Sequence, residues 1–276
     1  MKISFIKLSP AENTTIIITE ADIRKEDYIK IAKTAMAYTH LNGEQVGFIT
    51  PKTDSRAKGR MEMSGGEFCG NGLLALGAYI AWQEDLEKET FLLEFSGVGK
   101  TLECEVRKVD SVTFRVKGEM PLEGYGISKK EVVTGKNTFA GYLVAMQGIT
   151  HFIFQESERE NNPTDYRELL KHLAREESSP AFGALGYRIS GEDIHLSPWV
   201  YVPGIESLGK ERSCGSGSLA LGLLWTMKKE EDIRLNIQQP GGIIAVRTAY
   251  DRRTKKVTSA TIETEVQITC EGNLLL

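Results

Sequence analysis

The chain has 276 residues, of which 41% are hydrophobic and 26% are charged. These values are ordinary for a globular protein with one large domain or two of average size. The net charge of −4, with basic residues scattered along the chain, argues against nucleic acid as a partner. No apolar run approaches the roughly 18 residues of a membrane span, and the first residues lack the apolar core of a signal peptide. We therefore expect a cytoplasmic protein that binds neither membrane nor nucleic acid.

The first half of the chain alternates predicted strands with two predicted helices. Runs of β-branched and alternating apolar residues predict strands at 2–6, 14–19, 46–49, 60–63, 91–95, 102–107 and 112–116. Asp22 is the expected N-cap of a helix over residues 23–39, and a second helix is predicted from Cys69 to about residue 87. The charged residues 52–58 are predicted to form a loop.

The second half repeats this order. Strands are predicted at 142–146, 150–155, 183–189, 199–202, 235–238, 243–248 and 257–270. A helix is expected over residues 164–176, with Asp165 and Glu168 forming a capping box, and another is expected to run from Cys214 into the charged residues 228–232. Both halves are thus predicted to contain the same elements in the same order: a strand pair, a helix, strands, a helix that begins at a cysteine, and a hairpin.

Two nine-residue stretches are near copies of each other, about half a chain apart. Residues 69–77 read Cys-Gly-Asn-Gly-Leu-Leu-Ala-Leu-Gly, and residues 214–222 read Cys-Gly-Ser-Gly-Ser-Leu-Ala-Leu-Gly. In each stretch a cysteine and a glycine-rich turn precede an apolar run of helical length. We therefore predict an α/β (α+β) protein of two similar lobes, whose cysteine-led helices face a shared cleft.

A helix N-terminus presents unpaired N–H groups and a partial positive charge, so it attracts anions. Two such ends facing each other would hold a carboxylate between Gly70 and Asn71 on one side and Gly215 and Ser216 on the other. The same field is expected to lower the pKa of the two thiols.

These two effects together predict a reaction. A thiolate on one face of a substrate α-carbon removes a proton, and a thiol on the other face delivers one. The stereocentre inverts, and the reaction needs neither a cofactor nor a metal. The substrate is a free amino acid, and the bases are Cys69 and Cys214.

Other interpretations of the cysteines were weighed. A cysteine in an apolar segment is most often a small buried hydrophobic residue, and Cys104 and Cys270 fit that description because each lies in an alternating strand. A disulfide between Cys69 and Cys214 would be an oxidation artefact in the cytoplasm. Neither glycine-rich stretch has the lysine or the spacing of a phosphate-binding loop. The cysteines and the four histidines are too dispersed for a structural zinc site.

At these motifs the sequence resembles the diaminopimelate epimerase family of cofactor-independent amino-acid racemases. Asn13, Gln45 and the Pro240-Gly241-Gly242 turn also fall where that family has a binding asparagine, a binding glutamine and a hairpin. The resemblance implies that each lobe is a curved, mostly antiparallel sheet around a central helix. The lobes would be residues 1–121, completed by a strand from 264–276, and residues 122–263. It also implies that the two cysteines are the acid and the base, and it allows a homodimer.

The chain departs from diaminopimelate epimerases at positions that hold the far end of their substrate. It has Gly148-Ile149-Thr150-His151 instead of Gly-Asn-Pro-His, Val202-Pro203 instead of Glu-Arg, and Leu73-Leu74 where those enzymes have an arginine. The stretches around residues 44–49, 63–71, 213–217 and 239–242 are more similar to the histidine racemase branch. Histidine is therefore the expected substrate.

The carboxylates near the motifs leave alternatives open. Glu44, beside Gln45, either receives the substrate's ammonium or imidazole or is a solvated loop residue. Glu67 is expected to be structural, and Glu211 to contact substrate or loop. Asn13 either lines the cleft or caps a turn. His151 is expected to be a satisfied core histidine.

Three alternative functions remain at this point. One is epimerisation of diaminopimelate itself, and another is an isomerase or dehydratase of a hydroxylated or cyclic amino acid. The third is a binding protein without catalysis, against which the presence of both thiols argues.

Overall fold

The computed structural model describes residues 2–20, 22–135, 137–156 and 162–276. The chain divides into two compact units. The first comprises Met1–Pro121 and Ile262–Leu276, and the second comprises Leu122–Thr261. Within the described residues, no helix has both the length and the apolar character that crossing a membrane requires.

Among its described residues, the first unit contains two α-helices, seven complete strands and the end of the last strand of the chain. Its elements are β1 (Lys2–Pro10), β2 (Thr15–Ile18), α1 (Tyr28–Met36), β3 (Gln45–Ile49), β4 (Ala57–Met63), α2 (Gly70–Gln83), β5 (Lys88–Phe95), β6 (Leu102–Lys108) and β7 (Thr113–Glu119). A short 3-10 turn, Lys25–Asp27, precedes α1.

The second unit has the same kinds of element. They are β8 (Gly126–Thr134), β9 (Asn137–Met146), β10 (Ile149–Gln155), α3 (Pro163–Glu176), β11 (Phe182–Ser190), β12 (Asp193–Val202), β13 (Ser207–Lys210), α4 (Gly215–Lys229), β14 (Ile233–Gln239) and β15 (Gly242–Asp251). A 3-10 turn, Pro203–Ile205, follows β12. The last strand, β16 (Lys256–Leu275), begins in the second unit and ends in the first.

Helix α2 is the centre of the first unit. The strands follow one another in the order β1 to β7, β7 pairs with β16, and β16 pairs with β1, so the sheet closes on itself. Nearly every side chain of α2 is buried, including Leu73, Leu74 and Leu76. A helix that is apolar on all sides is stable only when it is surrounded, and the curved sheet surrounds it. Helix α1 packs on the other face of the sheet, where Tyr28 stacks on Phe48.

The second unit uses α4 in the same way. Its sheet runs β8-β9-β10-β11-β12-β14-β15 and continues into β16, with β13 attached to β12. Helix α4 packs against β14 and β15 and is almost wholly buried. Helix α3 lies on the other face, in an aromatic cluster with Phe154, Tyr166 and Trp199.

The pairing pattern repeats between the units. In the first, β2–β3 and β4–β5 are parallel while β3–β4 and β5–β6 are antiparallel. In the second, β10–β11 and β12–β14 are parallel while β11–β12 and β14–β15 are antiparallel. A helix joins the strands of every parallel pair, as the long connection of a parallel pair requires. The predicted fold class, α+β with two similar mostly antiparallel units, is confirmed.

The repeated glycine at the end of each motif explains how closely the central helices approach their sheets. A Cβ on Gly77 would lie 2.5 Å from Cys104 Sγ and 3.0 Å from Val116 Cγ1. A Cβ on Gly222 would lie 2.6 Å from Val246 Cγ1. Any larger residue at these positions would have to push the helix away from the sheet.

We predict that Gly77→Ala destabilises the protein by about 1–2 kcal/mol. Overpacking of a core costs roughly 1–3 kcal/mol, and the better helix propensity of alanine offsets up to about 1 kcal/mol of this. Urea unfolding followed by circular dichroism measures the difference.

Two further variants make this prediction specific. Gly99→Ala is the matched control, because a Cβ there meets nothing within 4 Å. Cys104→Ala, combined with Gly77→Ala, should restore part of the lost stability because it vacates the space that the new methyl group needs. Equal stability of Gly77→Ala and the wild type would contradict the packing argument.

Several predicted elements were wrong in extent. The helix expected over residues 23–39 is shorter: α1 runs from Tyr28 to Met36 and follows the 3-10 turn Lys25–Asp27. The extended ψ angles of Arg24 (137°) and Ala37 (139°) end the helical backbone on either side of these two elements. The helix expected to reach residue 87 ends at Gln83. Part of the predicted loop at 52–58 belongs to β4, which starts at Ala57.

Two strands and one cap were missed or misassigned. Strands β8 and β13 were not predicted, since their exposed polar residues hide the alternation. The first half of β12, from Asp193, was missed as well. The capping box of α3 pairs Asn162 with Asp165 rather than Asp165 with Glu168, because the helix begins at Pro163.

Candidate active site

Cys69 and Cys214 occupy the N-cap positions of α2 and α4. Each has an extended backbone, with φ and ψ of −132° and 117° for Cys69 and −138° and 107° for Cys214. Each sulfur accepts a hydrogen bond from the third helical residue, Gly72 N–H at 3.3 Å and Gly217 N–H at 3.4 Å. The prediction that each thiol lies at the N-terminus of a buried helix is confirmed.

The first two amide groups of each helix are available to a ligand. Within the described chain, the N–H groups of Gly70, Asn71, Gly215 and Ser216 have no hydrogen-bond partner. Two unpaired N–H groups at a helix end, together with the helix dipole, favour a bound carboxylate. Each unit therefore carries one half-site with a thiol and two anion-binding amides.

In the first unit, three of the predicted site residues are in contact. Cys69 Sγ donates to Gln45 Oε1 at 2.9 Å. Gln45 Nε2 in turn donates to Asn13 Oδ1 and to Thr15 Oγ1, both at 2.8 Å. The parallel pairing of β2 with β3 places Thr15 opposite Gln45 and so fixes the glutamine beside the sulfur. Asn13 is buried and orients Gln45.

Asn71 and Glu44 differ in burial and in the hydrogen bonds that their side chains make. Asn71 is 5% exposed, and its Oδ1 has no partner among the described residues. Glu44 is exposed, and its Oε2 accepts the Thr14 N–H at 2.9 Å. Glu44 thus also links the residue before β3 to the residue before β2. Glu67 is exposed as well, and its backbone carbonyl accepts the Ser96 hydroxyl at 2.6 Å, a contact between the segment before α2 and the residue after β5.

In the second unit, a buried glutamine fixes the N-cap. Gln239 Oε1 accepts the Cys214 N–H at 2.9 Å, and Gln239 Nε2 donates to Ser218 Oγ at 2.8 Å. Ser218 Oγ donates to the Cys214 carbonyl at 2.8 Å. Sequence reasoning missed both residues. A signal was present, because Ser218 is one of two positions at which the repeated motifs differ and Gln239 precedes the Pro240-Gly241 turn.

The predicted lowering of the thiol pKa is wrong for Cys214. Burial raises its pKa well above the ordinary value, and the negative charge of Glu211 raises it further. The Ser216 hydroxyl and the Gly217 N–H oppose this effect but do not overcome it. Loss of hydration disfavours a thiolate more than two donors at the helix end favour it. Cys214 is therefore a protonated thiol in the substrate-free protein.

His151 lies directly behind this second half-site. It is 0% exposed, and its Nε2 lies 3.0 Å from Ser216 Oγ. The Ser216 oxygen lies 3.4 Å from Cys214 Sγ. Burial lowers the pKa of His151 from 6.5 to about 3, so the ring is neutral. The expectation of a satisfied core histidine holds for Nε2, whereas Nδ1 has no partner among the described residues.

We predict that His151 makes the fold sensitive to acid. The pKa of this histidine is lower in the folded protein than in the unfolded chain, so stability is full above pH 6.5 and falls as the pH drops towards about 3. The difference corresponds to at most roughly 5 kcal/mol. His151→Gln should show a flatter loss of unfolding free energy over this range. His195→Gln, at an exposed position, is the control and should keep the wild-type slope.

The other two cysteines have different surroundings. Cys104 is fully buried beside Gly77, and burial raises its pKa. Cys270 is exposed, so its expected burial was wrong. The pairing of β1 with β16 shifts register between Lys7 and Leu8, and this irregularity interrupts the alternation at Thr269 and turns Cys270 outward.

A family model and individual relatives both match this chain to histidine racemases over most of its length. A family model described as "Histidine racemase CntK N-terminal domain" matches residues 2–275. A histidine racemase of Fusobacterium nucleatum subsp. nucleatum is 35% identical over 247 residues, which is 87% of this chain and 86% of that protein. A histidine racemase of Staphylococcus aureus is 27% identical over 248 residues, 88% of each chain.

A solved structure shares the fold. The crystal structure of a probable proline racemase from Agrobacterium radiobacter aligns with a TM-score of 0.71 over 99% of this chain and 93% of that one. The sequence identity is 10%, so this likeness concerns the fold alone.

Proposed function

Because the chain belongs to the family of the histidine racemase CntK N-terminal domain, we propose that it interconverts L- and D-histidine without a cofactor. The family predicted from the two cysteine motifs is confirmed, and the chain is an isomerase of the racemase and epimerase class. The observation that carries the proposed mechanism is the duplicated half-site, in which a thiol caps a helix whose first two amides are unpaired.

The substrate carboxylate is proposed to bind at the helix ends. The N–H groups of Gly70, Asn71, Gly215 and Ser216 are the donors, and the side chain of Asn71 adds a polar group. Removal of the α-proton places negative charge on the carboxylate as well as on Cα. Donors that are already aimed at the carboxylate stabilise that charge without reorganisation.

Cys69 and Cys214 are proposed as the two bases, one for each face of Cα. The reaction requires one thiolate and one thiol. Both sulfurs have surroundings that favour the thiol, since Cys69 Sγ donates to Gln45 Oε1 and the carboxylate of Glu211 disfavours a negative sulfur at Cys214. One of the two thiols must therefore lose its proton before the reaction can begin. In one direction the Cys69 thiolate takes the α-proton and becomes a thiol, while Cys214 gives its proton to the opposite face and becomes a thiolate; in the other direction the two sulfurs exchange these roles.

The substrate is proposed to have one carboxylate. Leu73 and Leu74 stand where diaminopimelate epimerases have an arginine, and both are fully buried in the core around α2. No side chain at these positions can therefore bind a second carboxylate. Glu44, next to Gln45 and exposed, is the proposed partner of the substrate's ammonium or imidazole group. The need for reduced thiols supports a cytoplasmic enzyme.

The direct test is incubation with L-histidine in D₂O, with EDTA and without added cofactor. We expect D-histidine to form with deuterium at Cα, detected by chiral chromatography and mass spectrometry. Formation of D-histidine only after a metal ion or pyridoxal phosphate is added would contradict cofactor independence.

A substrate panel separates the remaining functions. Diaminopimelate and 4-hydroxyproline are run beside histidine under the same conditions. Turnover of one of these and not of histidine would replace histidine as the substrate and leave the two-thiol mechanism in place. Binding of histidine, seen as a thermal shift, without any exchange at Cα would instead indicate a binding protein.

A further inference from the structure

A hydrogen-bonded chain of three side chains leads from the core of the second unit to the Cys214 sulfur. His151 Nε2 contacts Ser216 Oγ at 3.0 Å, and Ser216 Oγ contacts Cys214 Sγ at 3.4 Å. The Ser216 hydroxyl can donate in either direction, so its effect on the sulfur depends on which nitrogen of His151 carries the proton.

The packing of β10 against β11 determines that nitrogen. His151 lies opposite Gly183 in the parallel register. A Cβ built on Gly183 would overlap Nδ1 and lie 2.7 Å from Cε1 and 3.2 Å from Cγ of the ring. These distances place the Cβ position close to the plane of the imidazole ring and just beyond Nδ1, in the direction that an Nδ1–H bond would take. The α-hydrogen of Gly183 points towards this position, and Nδ1 has no acceptor among the described residues. The proton therefore belongs on Nε2.

We propose that His151 is a positioning residue for Cys214, because its Nε2–H donates to Ser216 Oγ and directs the hydroxyl proton of Ser216 towards the Cys214 sulfur. With one lone pair of the serine oxygen engaged by the histidine, the sulfur is the acceptor for the serine proton. The Cys214 sulfur then receives two donors, the Ser216 hydroxyl and the Gly217 N–H at 3.4 Å.

The protonation of the Cys214 thiol is therefore subject to two opposed interactions. The Glu211 carboxylate, the charged group that acts on this thiol, favours the protonated form. Ser216, held by His151, and the Gly217 amide favour the thiolate. The proposed function requires both forms in turn, since Cys214 gives up a proton in one direction and takes one in the other. His151 thus stabilises the thiolate that remains after proton delivery, and this inference rests on the proposed function.

The test uses the Cys69→Ser background, in which Cys214 is the remaining thiol of the two half-sites. The rate of deuterium exchange at Cα of histidine is measured as a function of pH. His151→Leu should raise the apparent pKa of the exchange by about one unit and lower its rate near neutral pH about tenfold, with little change in KM. His151→Gln, whose amide N–H can reach Ser216, should recover most of the lost rate.

A double-mutant cycle and a packing control separate positioning from stability. Once Ser216→Ala is present, His151→Leu should cause no further shift of the pH profile, because the histidine acts through the serine. Phe152→Leu, at the fully buried next position of β10, should lower stability and leave the profile in place. If His151→Leu and Phe152→Leu behave alike, or if His151→Gln recovers nothing, His151 has no positioning role.

A direct titration of the Cys214 thiol tests the role of His151 without a measurement of enzyme activity. The ultraviolet absorbance of the Cys214 thiolate is obtained as the difference between Cys69→Ser and Cys69→Ser/Cys214→Ser during a pH titration. Adding His151→Leu or Ser216→Ala to the Cys69→Ser protein should move the Cys214 pKa upward. Absence of exchange in every variant would contradict the proposed function, whereas an unchanged Cys214 titration would contradict the role of His151.

Discussion

Replacing either Cys69 or Cys214 with serine is expected to lower histidine racemisation by roughly a thousandfold. Proton transfer by a positioned group contributes between about a hundredfold and ten-thousandfold, and a serine hydroxyl is a far weaker acid and base than a thiol at neutral pH. Both cysteines are needed for inversion, since one removes a proton from one face of Cα and the other delivers a proton to the opposite face. Chiral chromatography of the products measures the loss.

The two single variants should also differ from each other in a defined way. Each retains one thiol, so each should exchange the α-proton of one enantiomer with solvent and leave the other enantiomer unlabelled. Cys69→Ser and Cys214→Ser should therefore label opposite enantiomers in D₂O. The same enantiomer labelled by both variants would show that the two sulfurs do not act on opposite faces.

Cys270→Ser is the matched control for this pair. Cys270 is exposed on β16 and lies in neither half-site, so the substitution tests the general effect of losing a thiol. It should retain wild-type racemisation. Full activity of Cys69→Ser or of Cys214→Ser, measured beside it, would refute the two-base mechanism.

The local motif made the cysteine-led helices predictable. A glycine-rich turn followed by an apolar run specifies a buried helix, and the cysteine before it takes the N-cap because its extended backbone lets the sulfur reach the Gly72 or Gly217 amide. All of this information lies within a few residues. The position of Gln45 beside Cys69 depends on sheet pairing, and it could be expected from the sequence only through the family resemblance.

The remaining features depend on residues that are distant in sequence. Gln239 reaches the Cys214 N–H because β14 ends beside the start of α4, and no local pattern shows this. The direction of the Cys214 pKa shift was mispredicted because the helix end is visible in the sequence and the burial of the sulfur is not. Strand β8 was missed because an edge strand with Ser128, Lys129 and Glu131 exposed has little apolar alternation.

Gly70→Pro is expected to lower kcat/KM for histidine by roughly 10- to 100-fold relative to Gly70→Ala. Gly70 is the first residue of α2, where proline is well tolerated because the amide has no helical partner. Cys69 already has the extended backbone that a residue before proline prefers. The proline therefore removes one proposed carboxylate donor and preserves the helix. A hydrogen bond to a charged group contributes about 1.5–3 kcal/mol, which corresponds to this range of rate.

Gly70→Ala is the comparison that isolates the amide. A Cβ at this position lies 3.1 Å from the terminal Cδ1 of Ile262, a contact that both variants share. Alanine keeps the N–H, whereas proline lacks it. The two variants should unfold at similar urea concentrations, since the amide has no partner within the described chain. If they also have equal kcat/KM, the amide of Gly70 does not bind the substrate carboxylate. A difference confined to kcat/KM would instead support the helix end as the group that stabilises the developing negative charge.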